Sequence, residues 1–237
     1  MSLLFATLLF AVLVVLISAL RRRLVYELQG TSLLSFGSAK GGTYIFALLT
    51  FPGTVLHELS HWLMAEILQV RTGEMQILPD AESMGQGEEK LGFVMTGRTD
   101  PIRGFLIGFA PFITGITALV ILGYLLDTFW GSAPTWQIAL IIYGLIVVGN
   151  SMIVSKADSR NWPFMAIITA LIVGALIRSK VVLPTGFLLS LTQIMVRIDQ
   201  VLGLTILLNL AMIGGFYLLR RSVEKITKQK IVKKGRI

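Results

Sequence analysis

The sequence predicts an all-α integral membrane protein, about six transmembrane helices with a small β-hairpin at the membrane face. Three observations point there. Of 237 residues, 54% are hydrophobic and only 14% charged, with mean hydropathy +0.78, whereas soluble domains carry roughly 25% charged residues. Uncharged runs long enough to cross a bilayer as helices recur along the chain. One polar stretch, 70–103, holds two short runs, 74–78 and 91–95, that read as paired strands.

Taken in order, residues 2–20 form an uncharged helix. Arg21, Arg22 and Arg23 follow it rather than precede it, which argues for a retained transmembrane helix and against a cleaved signal. Residues 24–42 are mixed and read as an interfacial or loop connection. The next helix, 43–69, contains Pro52-Gly53, a pair expected to kink it. The predicted hairpin follows, its strands separated by the acidic, glycine-containing stretch 79–90, and its exposed edge could accept an extended peptide. Further helices are expected at 104–126, 137–154, 163–177 and 201–219, with 181–196 apolar but too short for a clear span. The chain thus divides into an N-terminal helix and connection (1–42), a membrane core (43–160), additional helices (161–219) and a basic tail (220–237).

The net charge is +8, and eight of the twenty-one Lys/Arg fall between Arg220 and Arg236, directly after an apolar helix. That placement reads as a cytoplasmic tail facing anionic lipid and argues against a nucleic-acid partner. Six-span and seven-span arrangements divide the basic residues identically, so charge does not choose between them. With no cysteine, disulfides, thiolate metal ligands and cysteine nucleophiles are excluded.

The chemistry concentrates in Leu56-His57-Glu58-Leu59-Ser60-His61, which holds the only two histidines. Four residues apart on a helix, the two imidazoles share a face and can hold one Zn²⁺, with Glu58 within reach of a water held there. A catalytic zinc site usually has three protein ligands, so an Asp or Glu must complete it. Glu66 falls on the opposite face of the helix. Asp80, Glu82, Glu88 and Glu89 read as solvated loop charges, and Asp127 ends a helix at the far edge. Asp158, past the end of the 137–154 helix, remains.

HELSH in a membrane helix, followed by a polar hairpin and a downstream Asp, resembles the site-2 protease family of intramembrane zinc metalloproteases. Asn150 stands eight residues before Asp158, the spacing of that family's second motif, and Gly108-Phe-Ala-Pro111 is similar to its small-residue and proline stretch. The resemblance implies Zn²⁺ on His57, His61 and Asp158, with Glu58 as the general base. It also implies that Asn150 helps hold the substrate backbone or orient the site, and that the substrate is a membrane protein or peptide cleaved in or near the membrane. The family's two prolines correspond here to Ile153 and Ser155, its glycine after the Asp to Ser159, and a long soluble insert is missing, so the resemblance is to a divergent, minimal member. Those departures favour the alternative, a catalytically degenerate relative acting as a structural or regulatory subunit with membrane-complex partners.

Overall fold

The computed structural model describes residues 2–77, 92–97, 99–155, 157–179 and 184–231. Its elements are α1 (Leu3–Phe36), α2 (Ala39–Leu49), α3 (Phe51–Ile67), β1 (Thr72–Gln76), β2 (Phe93–Thr96), α4 (Pro101–Phe129), α5 (Thr135–Ser151), a 3₁₀ turn (Asp158–Asn161), α6 (Trp162–Arg178) and α7 (Thr185–Thr227). Three of these, α1, α4 and α7, are long and apolar enough to cross a membrane. The expected six spans are therefore not supported among the described residues.

The difference has a physical cause at each place. No proline interrupts residues 21–36, and Arg and Leu are good helix formers, so the expected connection at 24–42 begins as a continuation of α1. Gly37, at φ +70, ends that helix with a left-handed cap. Likewise the polar stretch Arg197-Ile198-Asp199-Gln200 contains no helix breaker, and the two segments expected at 181–196 and 201–219 are one helix of 43 residues. In the opposite direction, the helix expected over 43–69 is two. Pro52 has no N–H to donate, and the backbone leaves helical geometry at Thr50 (φ −99, ψ 6) before α3 begins.

α1 and α7 pack side by side and parallel. Leu24 and Leu28 lie with Met212, Ile213 and Phe216, and further along Glu27 meets Arg220. Glu27 is fully buried (0% exposed) and accepts from Arg220 Nε at 2.5 Å and pairs with Arg23 at 2.5 Å. Arg220 also pairs with Glu224. The basic segment expected as a free tail from residue 220 is thus helical through Thr227, with its first arginine buried. Residues 232–237 lie outside the described set.

A second cluster joins four of the helices. Ile17, Leu119, Leu145 and Leu202, from α1, α4, α5 and α7, form its buried centre. α4 starts at the end where α1 and α7 finish, capped by Asp100, whose Oδ1 accepts from the Ile102 and Arg103 amides at 3.0 Å. α2 backs along α1, Gly42 lying against the Leu28–Gln29 backbone. α3 runs beside α5 in the same sense, since Tyr143 Oη donates to the Leu49 carbonyl at 2.8 Å and His57 meets Ser151. β1 and β2 pair antiparallel, with Met75 opposite Val94 and Gln76 opposite Phe93. The hairpin is as expected in kind, its strands shifted from 74–78 and 91–95. Its connecting stretch, with Asp80, Glu82, Glu88 and Glu89, lies outside the described residues.

Candidate metal centre

His57 and His61 stand one turn apart on α3, ring centroids 4.9 Å apart and nearly perpendicular at 81°. Each ring is oriented by a backbone carbonyl from a different helix. His57 Nδ1 donates to the Ser151 carbonyl at 2.6 Å, and His61 Nδ1 donates to the Ile107 carbonyl at 2.8 Å. A carbonyl oxygen only accepts, so both Nδ1 atoms carry the proton and a neutral ring presents its Nε2 lone pair. Tying the non-ligating nitrogen in this way is how metal-binding histidines are usually held.

Both Nε2 atoms face Asp158. Oδ1 is 3.2 Å from His61 Nε2 and Oδ2 is 3.8 Å from His57 Nε2. One ligand atom from each of His57, His61 and Asp158 lies within 4.8 Å of the others. Bonds of about 2.0–2.1 Å in a tetrahedron put ligand atoms roughly 3.3 Å apart. The His61–Asp158 separation fits that figure, and the His57–Asp158 separation exceeds it by a few tenths of an ångström. The three residues could therefore hold a metal ion, and two imidazoles with one carboxylate suit zinc.

Asp158 sits in the 3₁₀ turn, its Oδ2 accepting from the Ser155 amide at 2.8 Å. Burial opposes its ionisation, but in the metal-free chain a proton taken up on Nε2 of either imidazole is donated to it. With the Ser155 hydrogen bond this outweighs burial and holds the carboxyl well below the usual carboxylate range; a metal would take the place of those Nε2 protons. It is therefore an anion at neutral pH, the form a metal requires. The turn comes this close because of Gly108 on α4, where a Cβ would collide with the Asp158 carbonyl and lie 3.0 Å from its carbon. On the other side, Gly53 lets α3 approach Val147 and Ser151 of α5. Gly108 thus has a role in packing beside the site.

Glu58 is 5% exposed and lines the same cavity as the three candidate ligands. Gly92, next to β2, crosses it so closely that a Cβ would lie 2.9 Å from Glu58 Oε1. The cavity measures about 1560 Å³ and is walled by α1 (Ser18 to Gln29), α3, β2, the start of α4 and the 151–161 segment. It brings the Glu58 carboxyl, three candidate ligands and a strand to one space.

No protein-family model, curated protein or solved structure matches this chain. The site is therefore read from its own geometry.

Among the residues expected from sequence, His57, Glu58, His61 and Asp158 converge. Asn150 does not line the cavity with them. It is 1% exposed, one residue before the carbonyl that orients His57, and its Nδ2 donates to Asn209 Oδ1 and to the Ile146 carbonyl, both at 2.8 Å. Sequence reasoning missed the orienting carbonyls of Ser151 and Ile107, which carry no side-chain signal, and Gly92. Asn209 did leave a signal: it is an amide in the middle of an otherwise apolar stretch of α7.

Proposed function

We propose that this chain is a zinc-dependent peptidase embedded in a membrane, hydrolysing a peptide bond in or near the membrane segment of its substrate. The observation that carries the reading is the convergence of His57, His61 and Asp158, with both Nδ1 atoms tied to carbonyls and Glu58 in the same cavity. Zinc, when bound, supplies Lewis acidity toward a carbonyl and makes water a better nucleophile at neutral pH. Glu58 takes a proton from the attacking water as its oxygen adds to the scissile carbonyl carbon. The same carboxyl returns that proton to the nitrogen as the C–N bond breaks, leaving an acid and an amine. This is the resemblance to the site-2 protease family put into the residues of this chain.

The cavity supports a peptide substrate. Phe93, Val94 and Thr96 of β2 line it beside Glu58, so an extended segment pairing with the sheet would run past the base. Strand pairing would also satisfy backbone groups that a substrate helix gives up on unwinding in lipid. Asn150 enters this reading as a support of the α5 end rather than as a substrate contact.

The distribution of basic residues supports one orientation. Arg21, Arg22 and Arg160 line the cavity, Arg23 and Arg220 surround Glu27, and Lys40, Arg71 and Arg103 stand at element ends on that same side. Arg178 ends α6 and Arg197 approaches Asp127 at the other side. The positive-inside rule then puts the metal centre and the C-terminal end of α7 in the cytoplasmic half, where the remaining cations can meet anionic lipid.

The test is Glu58→Gln in the full chain, co-expressed with a panel of single-span membrane proteins. The variant is expected to retain its zinc while cleavage of any processed substrate stops. Cleavage at the wild-type rate with Gln at 58 would remove the peptidase reading.

A further inference from the structure

We infer that Asn209 of α7 is a positioning residue for the metal centre, acting through Asn150 on the carbonyl that orients His57; the inference rests on the metal-site reading above. Asn209 is fully buried (0% exposed) on α7, one turn beyond the buried Thr205 and close to the buried Leu202 and Ile206. Its Oδ1 accepts from Asn150 Nδ2 at 2.8 Å, and its own Nδ2 donates to the Thr205 carbonyl at 3.0 Å. Asn150 Nδ2 is shared between Asn209 and the Ile146 carbonyl, while Asn150 Oδ1 has no partner among the described residues. Among the described residues the asparagine is therefore hydrogen-bonded through its NH₂ group alone, and Asn209 is its one hydrogen-bonded link to another helix.

That link grips α5 where the helix stops. One residue on, the Ser151 carbonyl is among the last of the helix, groups that lack an intrahelical donor. It is free to accept the His57 Nδ1 proton at 2.6 Å. From Ser151 the chain leaves helical geometry and reaches Asp158 within seven residues. Displacing the α5 end would therefore disturb two candidate ligands together: His57 through its orienting carbonyl, and Asp158 through the segment that carries it. A second contact holds the same point. Gly149 admits the Thr205 methyl so closely that a Cβ would collide with it. Thr205 and Asn209, one turn apart on α7, clamp residues 149 and 150. A pair that served only to join two helices could sit at any level of the α5–α7 contact; this one sits next to the carbonyl that the metal-site histidine uses.

The experiment uses the full chain in detergent, with Co²⁺ and Zn²⁺ as probes and ¹⁵N-labelled histidine in the metal-free protein. Asn209→Leu removes the acceptor at similar volume; Asn209→Asp keeps an acceptor at the same atom. Expected for Asn209→Leu are a shifted Co²⁺ visible spectrum, zinc binding weakened about tenfold, the low end of what outer-shell partners contribute, and an altered His57 Nδ1 signal. Asn209→Asp should return all three toward wild type, which a loss of packing alone would not do. Gly149→Ala, with both asparagines intact, should reproduce the shifted spectrum. A folded Asn209→Leu protein with wild-type spectrum, zinc affinity and His57 signal overturns the inference. If that variant does not fold, Gly149→Ala with wild-type readouts overturns it instead. Should the wild-type chain bind neither metal, the metal-site reading fails, and the metal-free His57 signal alone decides between support and refutation.

Discussion

Replacing Gly108 with alanine should damage the metal centre without touching any of its candidate ligands. The added Cβ would lie 3.0 Å from the Asp158 carbonyl carbon and 3.1 Å from its Cα, with the carbonyl oxygen nearer still. These are backbone atoms, which cannot rotate away as a side-chain tip would. Ordinary carbon contacts begin near 3.5 Å, so the 3₁₀ turn must retreat from α4 by roughly an ångström to make room. Metal sites tolerate about 0.2 Å in ligand distance. Asp158 Oδ1, now 3.2 Å from His61 Nε2, would then move out of the range in which one ion contacts both. Overpacking of this kind also costs about 1–3 kcal/mol of stability, against the up to ~1 kcal/mol that Gly→Ala normally contributes inside a helix. Gly203→Ala is the control, because a Cβ there meets nothing within 4 Å. Zinc affinity by chelator competition and thermal unfolding, measured on both variants, make the assay. Gly108→Ala should lose zinc affinity by at least tenfold and melt lower, while Gly203→Ala should bind as wild type and melt no lower. Wild-type zinc affinity in Gly108→Ala would refute the argument that Gly108 sets the position of Asp158.

Three other outcomes follow from the same structure. Glu27→Ala leaves the buried Arg220 with Glu224 alone as its carboxylate partner among the described residues and should destabilise the chain by about 1–3 kcal/mol; Glu27→Leu with Arg220→Leu should recover much of that in thermal unfolding. Asp100 has its carboxyl pKa lowered, chiefly by the Arg103 amide and then by that of Ile102, so its contribution to α4 is present above the unfolded carboxylate value near 4. That contribution is lost as pH falls through the lower folded value, and the stability difference between wild type and Asp100→Asn should shrink on acidification rather than grow. Because the chain has no cysteine, single cysteines report orientation cleanly. Ser38→Cys, beyond α1, should resist a membrane-impermeant thiol reagent in intact cells, Ser132→Cys, between α4 and α5, should react, and the reverse pattern would invert the proposed orientation.

The parts of this molecule that were legible in its sequence are those carried by residue type. Two histidines and a glutamate at helical spacing stand out inside an apolar helix, and elimination among the carboxylates led to Asp158 because so few acids lie in the apolar chain. The β-hairpin was legible because its short runs are bounded by polar and glycine-containing stretches. Element boundaries inside the membrane segments were not. Charged residues such as Arg21 and Arg197 read as the ends of spans, yet both sit within continuous helices, since neither residue is a helix breaker. Glu27 and Arg220, 193 positions apart, satisfy each other by ion pairing, and no local pattern connects them. The surroundings of Asn150 were not legible for a similar reason. Its spacing to Asp158 speaks of the motif, whereas its partner, Asn209, depends on how α7 packs, which only the assembled helices reveal.

The account stands on one claim, that His57, His61 and Asp158 hold a single zinc ion. The most direct measurement is the metal-to-protein ratio, by elemental analysis, of the purified wild-type chain and of Asp158→Ala after equilibration with limiting zinc. The account predicts one zinc per wild-type chain and a large loss in the variant. A wild-type chain that takes up no zinc, or an Asp158→Ala chain that keeps a full equivalent at unchanged affinity, would contradict it.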